Sequence, residues 1–428
     1  MEQITKKRKK DIRIFNFLLF CYIFSFYITV FPVSMLIAIP LFICVCANEV
    51  WLRSFLKIFS NKFIFISFIL QLLVTIGSLV FPIIYKTIDF SLGIIMITQM
   101  VHFICAIFFF TYIDVKDISF NQVCNSFIHI FIIQTIIQVI VFLNQSTLAP
   151  IVRIFSHYDP DSVIGIGNNV RGVALSAATT YHLSLIYGVA FIIYIKGLIE
   201  KRAVTFFDLI KGLLVVVGIF FAGRTGFVGV GIGGLYFLIT THSSLRKKIK
   251  ACLKLAITIG LIIVTFLSFA PKNMKTLVVD SLIPYAFEFI YQKLETGKTQ
   301  SASTNELKEQ WQHDFKEREL LFGSGKYTED GHYYMKCDAG ILRHLLFGGI
   351  IFYLLIILYQ AELTLPLKKG KAYYVFVLIF IYFCLMDFKG VTLGMNKFAY
   401  VTTLLFGYSY TREDKKSANY FLKLNYNA

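Results

Sequence analysis

The sequence lacks any cysteine pattern that could cross-link a loop or hold a metal ion. Its eight cysteines are scattered, and only Cys337 falls in the one long polar stretch of the chain. A lone cysteine cannot form a disulfide within that stretch, and no spacing typical of metal ligands occurs. These absences exclude a disulfide-stabilised loop and a metal site of the usual spacing.

The sequence also lacks the alternation of apolar and polar residues that a transmembrane β-barrel requires. Instead, 57% of its 428 residues are hydrophobic and 17% are aromatic, whereas soluble domains contain roughly 45–50% apolar residues. Apolar runs of about 20 residues recur, which is long enough to cross a hydrocarbon core of about 30 Å. The sequence therefore predicts an all-α polytopic membrane protein.

The net charge of +17 does not indicate a nucleic-acid partner. The basic residues are spread over short loops between apolar runs, as topology signals and contacts to anionic lipid headgroups are. The N-terminal basic cluster and the apolar run after it resemble a signal peptide, but no small-residue cleavage site follows. We therefore expect membrane lipids as partners, no nucleic acid, and an uncleaved first span.

The hydrophobic pattern predicts about 12 transmembrane helices. The second and eleventh are short and could be re-entrant. The predicted spans cover approximately residues 13–31, 33–47, 63–84, 88–113, 126–148, 172–195, 206–222, 225–241, 253–270, 339–360, 372–386 and 391–409.

The distribution of positive charge predicts which side of the membrane each loop faces. With the N-terminus in the cytoplasm, the cytoplasmic segments hold 26 of the 42 Lys and Arg residues. This asymmetry matches the positive-inside rule and places both termini in the cytoplasm. It divides the chain into spans one to nine (residues 1–270), a large outer loop (271–338), spans ten to twelve (339–410) and a cytoplasmic tail (411–428).

The outer loop is predicted to contain two amphipathic helices. Apolar residues recur at helical spacing between Asp280 and Gly297, and again after a capping box formed by Ser303 and Glu306. The second helix is expected to end at Gly323. Such helices lie in the membrane interface or cover a groove; packing on the protein's own surface is the alternative.

Three arginines stand at the mouths of predicted spans on the outer side. Arg171 begins the sixth span, Arg224 lies in the turn before the eighth, and Arg343 lies about one helical turn inside the tenth. An arginine at such a mouth can be an interfacial anchor, although placing one deeper in hydrocarbon costs about 3 kcal/mol. Because a guanidinium fork binds phosphate bidentately, we expect all three to bind a phosphate or diphosphate.

Acidic residues and a histidine precede the tenth span and are candidates for proton transfer. Of these, His332 and Asp338 are predicted to be catalytic, since a transfer reaction needs a group that accepts a proton within reach of the acceptor hydroxyl. Two alternatives stay open. Asp338 could form an ion pair that orients Arg343, and His332 could be an ordinary loop histidine.

The chain resembles the bacterial O-antigen polymerases of the Wzy type. The resemblance rests on the number of spans and on one large outer loop. It also rests on the turn 223–226, on the loop end Asp338-x-Gly340-x-x-Arg343 and on the arginine-then-small-residue segment that begins at Arg171. It covers most of the chain in architecture through short, degenerate motifs.

The resemblance implies a glycosyltransferase on the periplasmic side of the bacterial inner membrane. Such an enzyme moves a growing glycan from undecaprenyl diphosphate onto an incoming lipid-linked repeat unit, building O antigen or a related surface polysaccharide. No nucleotide sugar, metal or other cofactor is expected, because the lipid diphosphate is already an activated leaving group. The family also implies a separate chain-length regulator as a partner.

Two rival functions remain. An O-antigen ligase would attach the finished glycan to its lipid acceptor, but related ligases carry a histidine-asparagine pair where this chain has Asp338 and Ala339. A flippase for the same lipid-linked unit would carry charged residues deep in many spans and internal repeats. The sequence shows neither feature, so the polymerase is the preferred prediction.

Overall fold

A computed structural model describes residues 2–143, 155, 174–178, 180–201, 203–240, 293–294, 307–312, 315–366, 370 and 372–426. The structure is mostly helical (79%), which agrees with the predicted class. The chain divides into two compact units: unit 1 comprises Met1–Ile130 and Asn305–Ala428, and unit 2 comprises Phe131–Thr304.

Unit 1 is built from both ends of the chain, and unit 2 lies between them in sequence. The N-terminal part of unit 1 contains α1 (Glu2–Phe24), β1 (Tyr27–Ile28), β2 (Phe31–Pro32), α2 (Val33–Leu36), α3 (Ala38–Ala47), α4 (Glu49–Phe59), α5 (Lys62–Ile84), α6 (Ser91–Val115) and the start of α7 (Phe120–Leu143). Unit 2 contains the end of α7, α8 (Thr180–Ile199), α9 (Phe206–Ala222) and α10 (Phe227–Thr240). The C-terminal part of unit 1 contains α11 (Glu317–Phe322), β3 (Thr328–Glu329), β4 (His332–Tyr333), α12 (Gly340–Thr364), α13 (Tyr373–Asp387) and α14 (Lys397–Tyr426).

Five helices in the described part of the chain, α5, α6, α7, α8 and α12, are long and apolar enough to cross a membrane. A sixth candidate is the pair formed by residues Val33–Ala47 and Glu49–Phe59, which bends by 110°. The described residues thus contain five or six candidate spans, and the total of about 12 stays a prediction. The predicted ninth span lies outside the described residues, and so does the amphipathic helix after Asp280 except for residues 293–294, which are helical.

The first helix ends earlier than the sequence predicted. It stops at Phe24 instead of near residue 31, because Ser25 (φ 45°) and Thr29 (φ 58°) leave the helical region of backbone space. The chain then forms the hairpin of β1 and β2, in which Tyr27 lies opposite Pro32 and Ile28 opposite Phe31. Apolar composition continued through this segment and concealed the turn.

Helix α4 replaces part of a predicted loop. The Asn48 side chain accepts hydrogen bonds from the backbone N–H groups of Val50 (2.9 Å) and Trp51 (3.4 Å), which caps the helix. Glu49 and Lys57 then stand at the ends that suit their charges. The cap explains why the chain turns sharply here instead of continuing straight from α3.

One end of unit 1 is held by a buried arginine near the chain's C-terminus. Arg412 donates from Nε to Asp114 (2.7 Å), from Nη2 to Asp117 (2.7 Å) and from Nη1 to the carbonyl of Ile118 (2.8 Å). Asp114 also pairs with Lys57 of α4. Helix α14 therefore continues past the predicted end of the twelfth span, into the predicted tail, and joins α4 to α6.

The second amphipathic helix of the outer loop is broken. Residues 307–310 are helical, but Lys316 is extended (φ −68°, ψ 146°) and starts the separate helix α11. That helix ends at Gly323 (φ 74°) as predicted. The predicted end at Gly323 was correct, while the single continuous helix that the apolar periodicity suggested was wrong.

Helix α12 is also broken, at Gly349, where φ is 65° and ψ is −166°. The rings of His344 and Tyr353 lie 5.6 Å apart, centroid to centroid. A straight helix would place these positions on opposite faces, separated by about 13 Å along its axis. The predicted tenth span is therefore two helical segments, and Arg343 lies on the short first one.

The chain supplies hydrogen-bond donors to the carbonyls that this break frees. The backbone N–H of Ser324 donates to the carbonyl of Leu346 (2.7 Å), and that of Gly325 donates to the carbonyl of Phe347 (2.8 Å). The Ser324 hydroxyl donates to Leu346 as well (2.8 Å). Backbone groups at a break in a membrane protein must find such partners, because lipid offers none.

Replacement of Gly349 by alanine should destabilise the protein. Its backbone conformation is strained for any residue with a side chain, and a Cβ atom would collide with the backbone of Leu321 and Phe322. We expect the Gly349→Ala variant to lose about 2 kcal/mol or more of unfolding free energy, measured by denaturant unfolding in detergent. Gly231→Ala is the control, since outside its own helix no atom of the described residues lies within 4 Å of its Cβ position. Equal stability of the two variants would contradict the assignment.

Candidate functional site

A short β-hairpin shapes the polar segment that precedes α12. Strands β3 and β4 are antiparallel, with Thr328 opposite Tyr333 and Glu329 opposite His332. The two residues between them, Asp330 (φ 49°) and Gly331 (φ 77°), both have positive φ, as a type I′ turn requires. We call residues 315–339 the cap segment.

Asp89, between α5 and α6, holds this hairpin in place. Its Oδ2 atom accepts the backbone N–H groups of Tyr327 and Thr328, each at 2.6 Å. Its Oδ1 atom accepts the hydroxyls of Ser91 (2.6 Å) and Thr328 (3.0 Å). Burial alone would raise the pKa of Asp89, but these hydrogen bonds outweigh it and hold the pKa below its ordinary value.

Two further contacts fasten the cap segment to the turn between α5 and α6. The hydroxyl of Tyr85 donates to the carbonyl of Phe322 (3.1 Å), and the hydroxyl of Thr87 donates to the carbonyl of Gly325 (2.8 Å). Together with Asp89 they fix both ends of residues 322–328. The cap segment packs on the protein's own surface in this region, which was the alternative to a free lid.

Arg343 lies between two tyrosine rings that the hairpin presents. The centre of its guanidinium group is 3.5 Å from the ring centroid of Tyr333 and 4.0 Å from that of Tyr327. The side chain is 5% exposed. Cation–π contacts of this kind contribute up to roughly 2 kcal/mol each when water is excluded, so the rings fix the plane of the guanidinium.

One edge of the same guanidinium has no partner among the residues that the structure describes. Its Nε and Nη2 atoms are buried and make no hydrogen bond to any of those residues. Arg412, which is 7% exposed, provides the comparison within unit 1, because its three nitrogens all reach carboxylate or carbonyl oxygens. Leaving a buried charged donor unsatisfied costs more than about 1–3 kcal/mol. The Nε–Nη2 edge is also the one that binds two oxygens of a phosphate or carboxylate.

Asp338 does not supply the missing oxygens. Both Asp338 and Arg343 are described, and no ion pair joins them; Asp338 is exposed. Its backbone N–H and that of Ala339 donate to the Oε1 atom of Gln310 (3.2 and 3.3 Å), and Nε2 of Gln310 donates to the carbonyl of Lys336 (3.3 Å). Gln310 therefore caps the start of the helix that carries Arg343.

A buried histidine and aspartate lie beside this arginine segment. The Nε2 atom of His344 is 3.8 Å from the Oδ2 atom of Asp387, and both side chains are fully buried. The Oδ1 atom of Asp387 accepts the backbone N–H groups of Thr392 (2.8 Å) and Leu393 (3.0 Å). Gly340 leaves room for the carboxylate of Asp387, because a Cβ atom at position 340 would collide with that carboxylate. At 3.8 Å the imidazole and the free carboxylate oxygen are neighbours without a hydrogen bond, so proton transfer between them requires a closer approach.

Tyr327, one of the two tyrosines that contact Arg343, stays protonated at neutral pH. Burial raises the pKa of Tyr327 to about 12, and the nearby positive charge of Arg343 opposes that rise. Tyr327 therefore offers a neutral aromatic face to the guanidinium and a hydroxyl that can still donate a hydrogen bond. Among the residues that the structure describes, no three His, Cys, Asp or Glu side chains are grouped so as to hold a metal ion.

The residues predicted from the sequence fall in three places. Arg343, His332 and Asp338 belong to unit 1, with His332 and Asp338 exposed on the cap segment. Arg224 belongs to unit 2, where Ser184 of α8 holds its turn: the Ser184 hydroxyl donates to the carbonyl of Gly223 and accepts the N–H of Gly226 (2.6 Å). Arg171 lies outside the described residues. The grouping of the three arginines at one site stays a prediction.

The sequence held signals for some of the residues that the prediction missed. An Asp-Gly pair such as Asp330-Gly331 is a hairpin signal, and it would have brought Tyr327 and Tyr333 together. Asp387 ends an apolar run, and an ionisable residue in such a place is a functional candidate by default. Asp89 offered no signal of its role in the hairpin, since its partners there, Tyr327 and Thr328, lie more than two hundred residues away in the chain.

The chain matches no protein-family model, no curated protein and no solved structure. A functional assignment must therefore start from the geometry around Arg343.

Replacement of Asp89 by asparagine should release the hairpin. The amide keeps one acceptor oxygen and loses the charge that strengthens every bond to it, which lowers the local stability by about 1.5–3 kcal/mol. We expect trypsin to cleave after Lys326 and Lys336 at least about ten times faster in Asp89→Asn than in wild type. Asp330→Asn, which removes an exposed carboxylate from the same hairpin, should leave the rate unchanged.

The hydrogen bonds from the hairpin to Asp89 should weaken at low pH. Because the pKa of Asp89 is lower in the folded than in the unfolded protein (about 3.9), its stabilisation is complete above the unfolded value. It is lost as the pH falls through the folded value. Hydrogen exchange of the Tyr327 and Thr328 amides, corrected for intrinsic rates, should show this loss in wild type. A similar step in Asp89→Asn would show that another group is responsible.

Proposed function

We propose that this protein is a membrane-embedded glycosyltransferase. It would polymerise repeat units carried on undecaprenyl diphosphate into O antigen or a related surface polysaccharide. The observation that carries the proposal is the buried guanidinium edge of Arg343, held in a fixed plane and left without an oxygen partner. A phosphate group of the lipid diphosphate has the charge and the paired oxygens to complete it.

The tyrosines make Arg343 selective for a ligand that approaches in the plane of the guanidinium. Tyr327 and Tyr333 cover its two faces, so only the edge is open to hydrogen bonds. The contact orients a diphosphate before reaction, and it strengthens as negative charge develops on the leaving group. Lysine would offer a point charge without this geometry.

The proposed reaction is a substitution at the anomeric carbon of the growing glycan. The bond from that carbon to the diphosphate oxygen breaks, and a bond to the acceptor hydroxyl oxygen forms. The hydroxyl proton passes to a base, and undecaprenyl diphosphate leaves with the bonding electrons. Arg343 stabilises the leaving group, and Arg171 and Arg224 are the further diphosphate ligands that the sequence predicts.

The proton acceptor is proposed among residues near Arg343. Asp338 and His332 are exposed on the cap segment, where an acceptor sugar can reach them from the aqueous side. His344, with Asp387 behind it, is the buried alternative. A general base must come within hydrogen-bond reach of the proton that it removes, and the cap segment is the part of unit 1 that brings these groups near the arginine.

The proposal places the enzyme in the bacterial inner membrane with both termini in the cytoplasm and the cap segment in the periplasm. The candidate spans and the positive-inside charge pattern support this arrangement. Its partners are then the lipid-linked glycan, the surrounding lipids and a chain-length regulator.

Substitution of Arg343 should abolish long glycan chains. In cells that lack this gene, Arg343→Ala should reduce polymer by about 100-fold or more, because a preorganised charge contact at a reacting centre contributes about 3 kcal/mol. Arg343→Lys should reduce it by at least about tenfold, since it keeps the charge and loses the fork. Gel separation of the surface glycan is the measurement, with protein level checked by immunoblot.

The control for this experiment is Arg318→Lys and Arg318→Ala, because Arg318 is an exposed arginine on α11 in the cap segment. Both should polymerise normally. Glycan chains of normal length in both Arg343 variants would contradict the proposed role of Arg343. The deletion strain itself separates the functions: loss of a polymerase leaves single repeat units attached to the lipid acceptor, whereas loss of a ligase or flippase leaves none.

The proposed topology predicts which positions a membrane-impermeant thiol reagent can label. Cys337 is a poor reporter because it is 3% exposed and burial raises its pKa to about 11. In a variant without native cysteines, Lys336→Cys should be labelled from the periplasm, and Arg53→Cys on α4 only after the inner membrane is opened. The reverse pattern would overturn the proposed orientation.

A further inference from the structure

A cavity of about 210 Å³ lies beside the helix that carries Arg343. It is enclosed by the segment before α11, by the residues before α12 and by the first turns of α12. Besides Gln310 and Cys337, the residues that line it are Glu309, Gln312, Phe315, Met335, Leu342 and Leu346. Nothing in the proposed chemistry of Arg343 accounts for this space.

The walls of the cavity are of two kinds. Leu342 and Leu346 lie one turn apart on α12, and with Phe315 and Met335 they form an apolar surface. The side chains of Glu309 and Gln312 form the polar surface. Neither of these two side chains makes a hydrogen bond or ion pair with any residue that the structure describes, whereas that of their neighbour Gln310 is fully used in capping α12.

The cavity and Arg343 share one short helical segment. Successive helix positions are turned by about 100°, so Leu346 lies about 60° around the helix from Arg343 and Leu342 about 100°, both on the same side of it. Both leucines line the cavity ahead of the break at Gly349. A ring in the cavity and a phosphate on Arg343 would therefore contact the same segment of α12.

The chemistry of the walls favours a sugar over the other parts of a lipid-linked saccharide. A polyprenyl chain would bury the Glu309 carboxylate without a donor, which is unfavourable. A phosphate would be repelled by that carboxylate. A sugar ring presents C–H groups to leucine, methionine and phenylalanine side chains, and it presents hydroxyl donors to the carboxylate and amide. The volume is below the roughly 300–1,000 Å³ of pockets for drug-sized ligands, which fits one ring.

The backbone is strained at two consecutive residues beside the cavity. Met335 and Lys336 have φ values of 56° and 52°, which are unfavourable for residues with side chains. Met335 lines the cavity, and Cys337 is buried against Leu342 and Leu346.

We propose that this cavity is a sugar subsite: it holds one ring of the lipid-linked saccharide, and the Glu309 carboxylate accepts a hydrogen bond from a ring hydroxyl. The inference rests on the proposed function for the identity of the saccharide. In this arrangement Arg343 binds the diphosphate, and Glu309 recognises the sugar.

Trp311 provides a direct reporter of binding. The chain has two tryptophans, and Trp311 adjoins the cavity while stacking on Phe388 at 5.6 Å between centroids. In purified Trp51→Phe protein, we would titrate two probes and follow the fluorescence of Trp311. One probe is undecaprenyl diphosphate without sugar, and the other is the lipid-linked repeat unit isolated from cells that lack this gene.

The sugar-bearing lipid should bind at least about ten times more tightly than the bare lipid, which corresponds to about 1.4 kcal/mol. Glu309→Ala should remove this difference and leave the affinity for the bare lipid unchanged. Leu346→Phe, which reduces the cavity without adding a second tryptophan, should do the same. Glu317→Ala is the matched control, because it removes a carboxylate from α11 outside the cavity, and it should preserve the difference.

The outcomes separate the two proposals. If the bare lipid binds and the sugar adds nothing, or if Glu309→Ala keeps the difference, the subsite is wrong and the diphosphate site stands. If Arg343→Lys leaves both affinities unchanged while the sugar-dependent difference persists, the diphosphate site is wrong and the subsite stands. If wild type binds neither lipid, both are wrong. Since Glu309 is exposed, its alanine variant should fold, and its unfolding midpoint provides the check.

Discussion

The break in α12 at Gly349 determines the arrangement of everything around Arg343. A continuous helix would carry residues 340–348 straight on from residues 350–364. It would leave His344 far from Tyr353 and Arg343 away from the hairpin. The break requires a residue without a side chain, because the backbone of Leu321 and Phe322 fills the space. It also requires outside donors for the carbonyls of Leu346 and Phe347, which Ser324 and Gly325 provide. Helix and cap segment therefore depend on each other.

Much of the architecture follows from composition and periodicity, and the exceptions have local causes. The apolar runs that became α5, α6 and α12 were recognisable, because length and hydropathy alone define a candidate span. The end of α1 at Phe24 and the bend at Asn48 were missed, since single residues with positive φ or a capping side chain interrupt an apolar run without changing its composition. The break at Gly349 belongs to the same class: a glycine pair in a helix permits a kink and does not require one.

The candidate site was predictable in part for a related reason. Arg343 was identified because an arginine inside an apolar run is unfavourable and needs a reason. Its surroundings were not identified, because Asp89, Tyr327 and Asp387 come together only through tertiary structure. The contrast between Arg343 and Arg412 could not be read from the sequence at all. Both are buried arginines of unit 1, yet one is fully bonded to carboxylates and a carbonyl while the other keeps an unpaired edge.

The burial of Cys337 has a consequence for the chemical environment in which this protein could persist. A single accessible thiol facing an oxidising compartment would form mixed disulfides or cross-link two copies of the chain. Cys337 lies under Leu342 and Leu346, and its pKa of about 11 leaves only about one thiol in ten thousand ionised at pH 7. Since the thiolate is the species that reacts, the packing beside the cavity also acts as chemical protection, and the chain needs no partner cysteine to survive there.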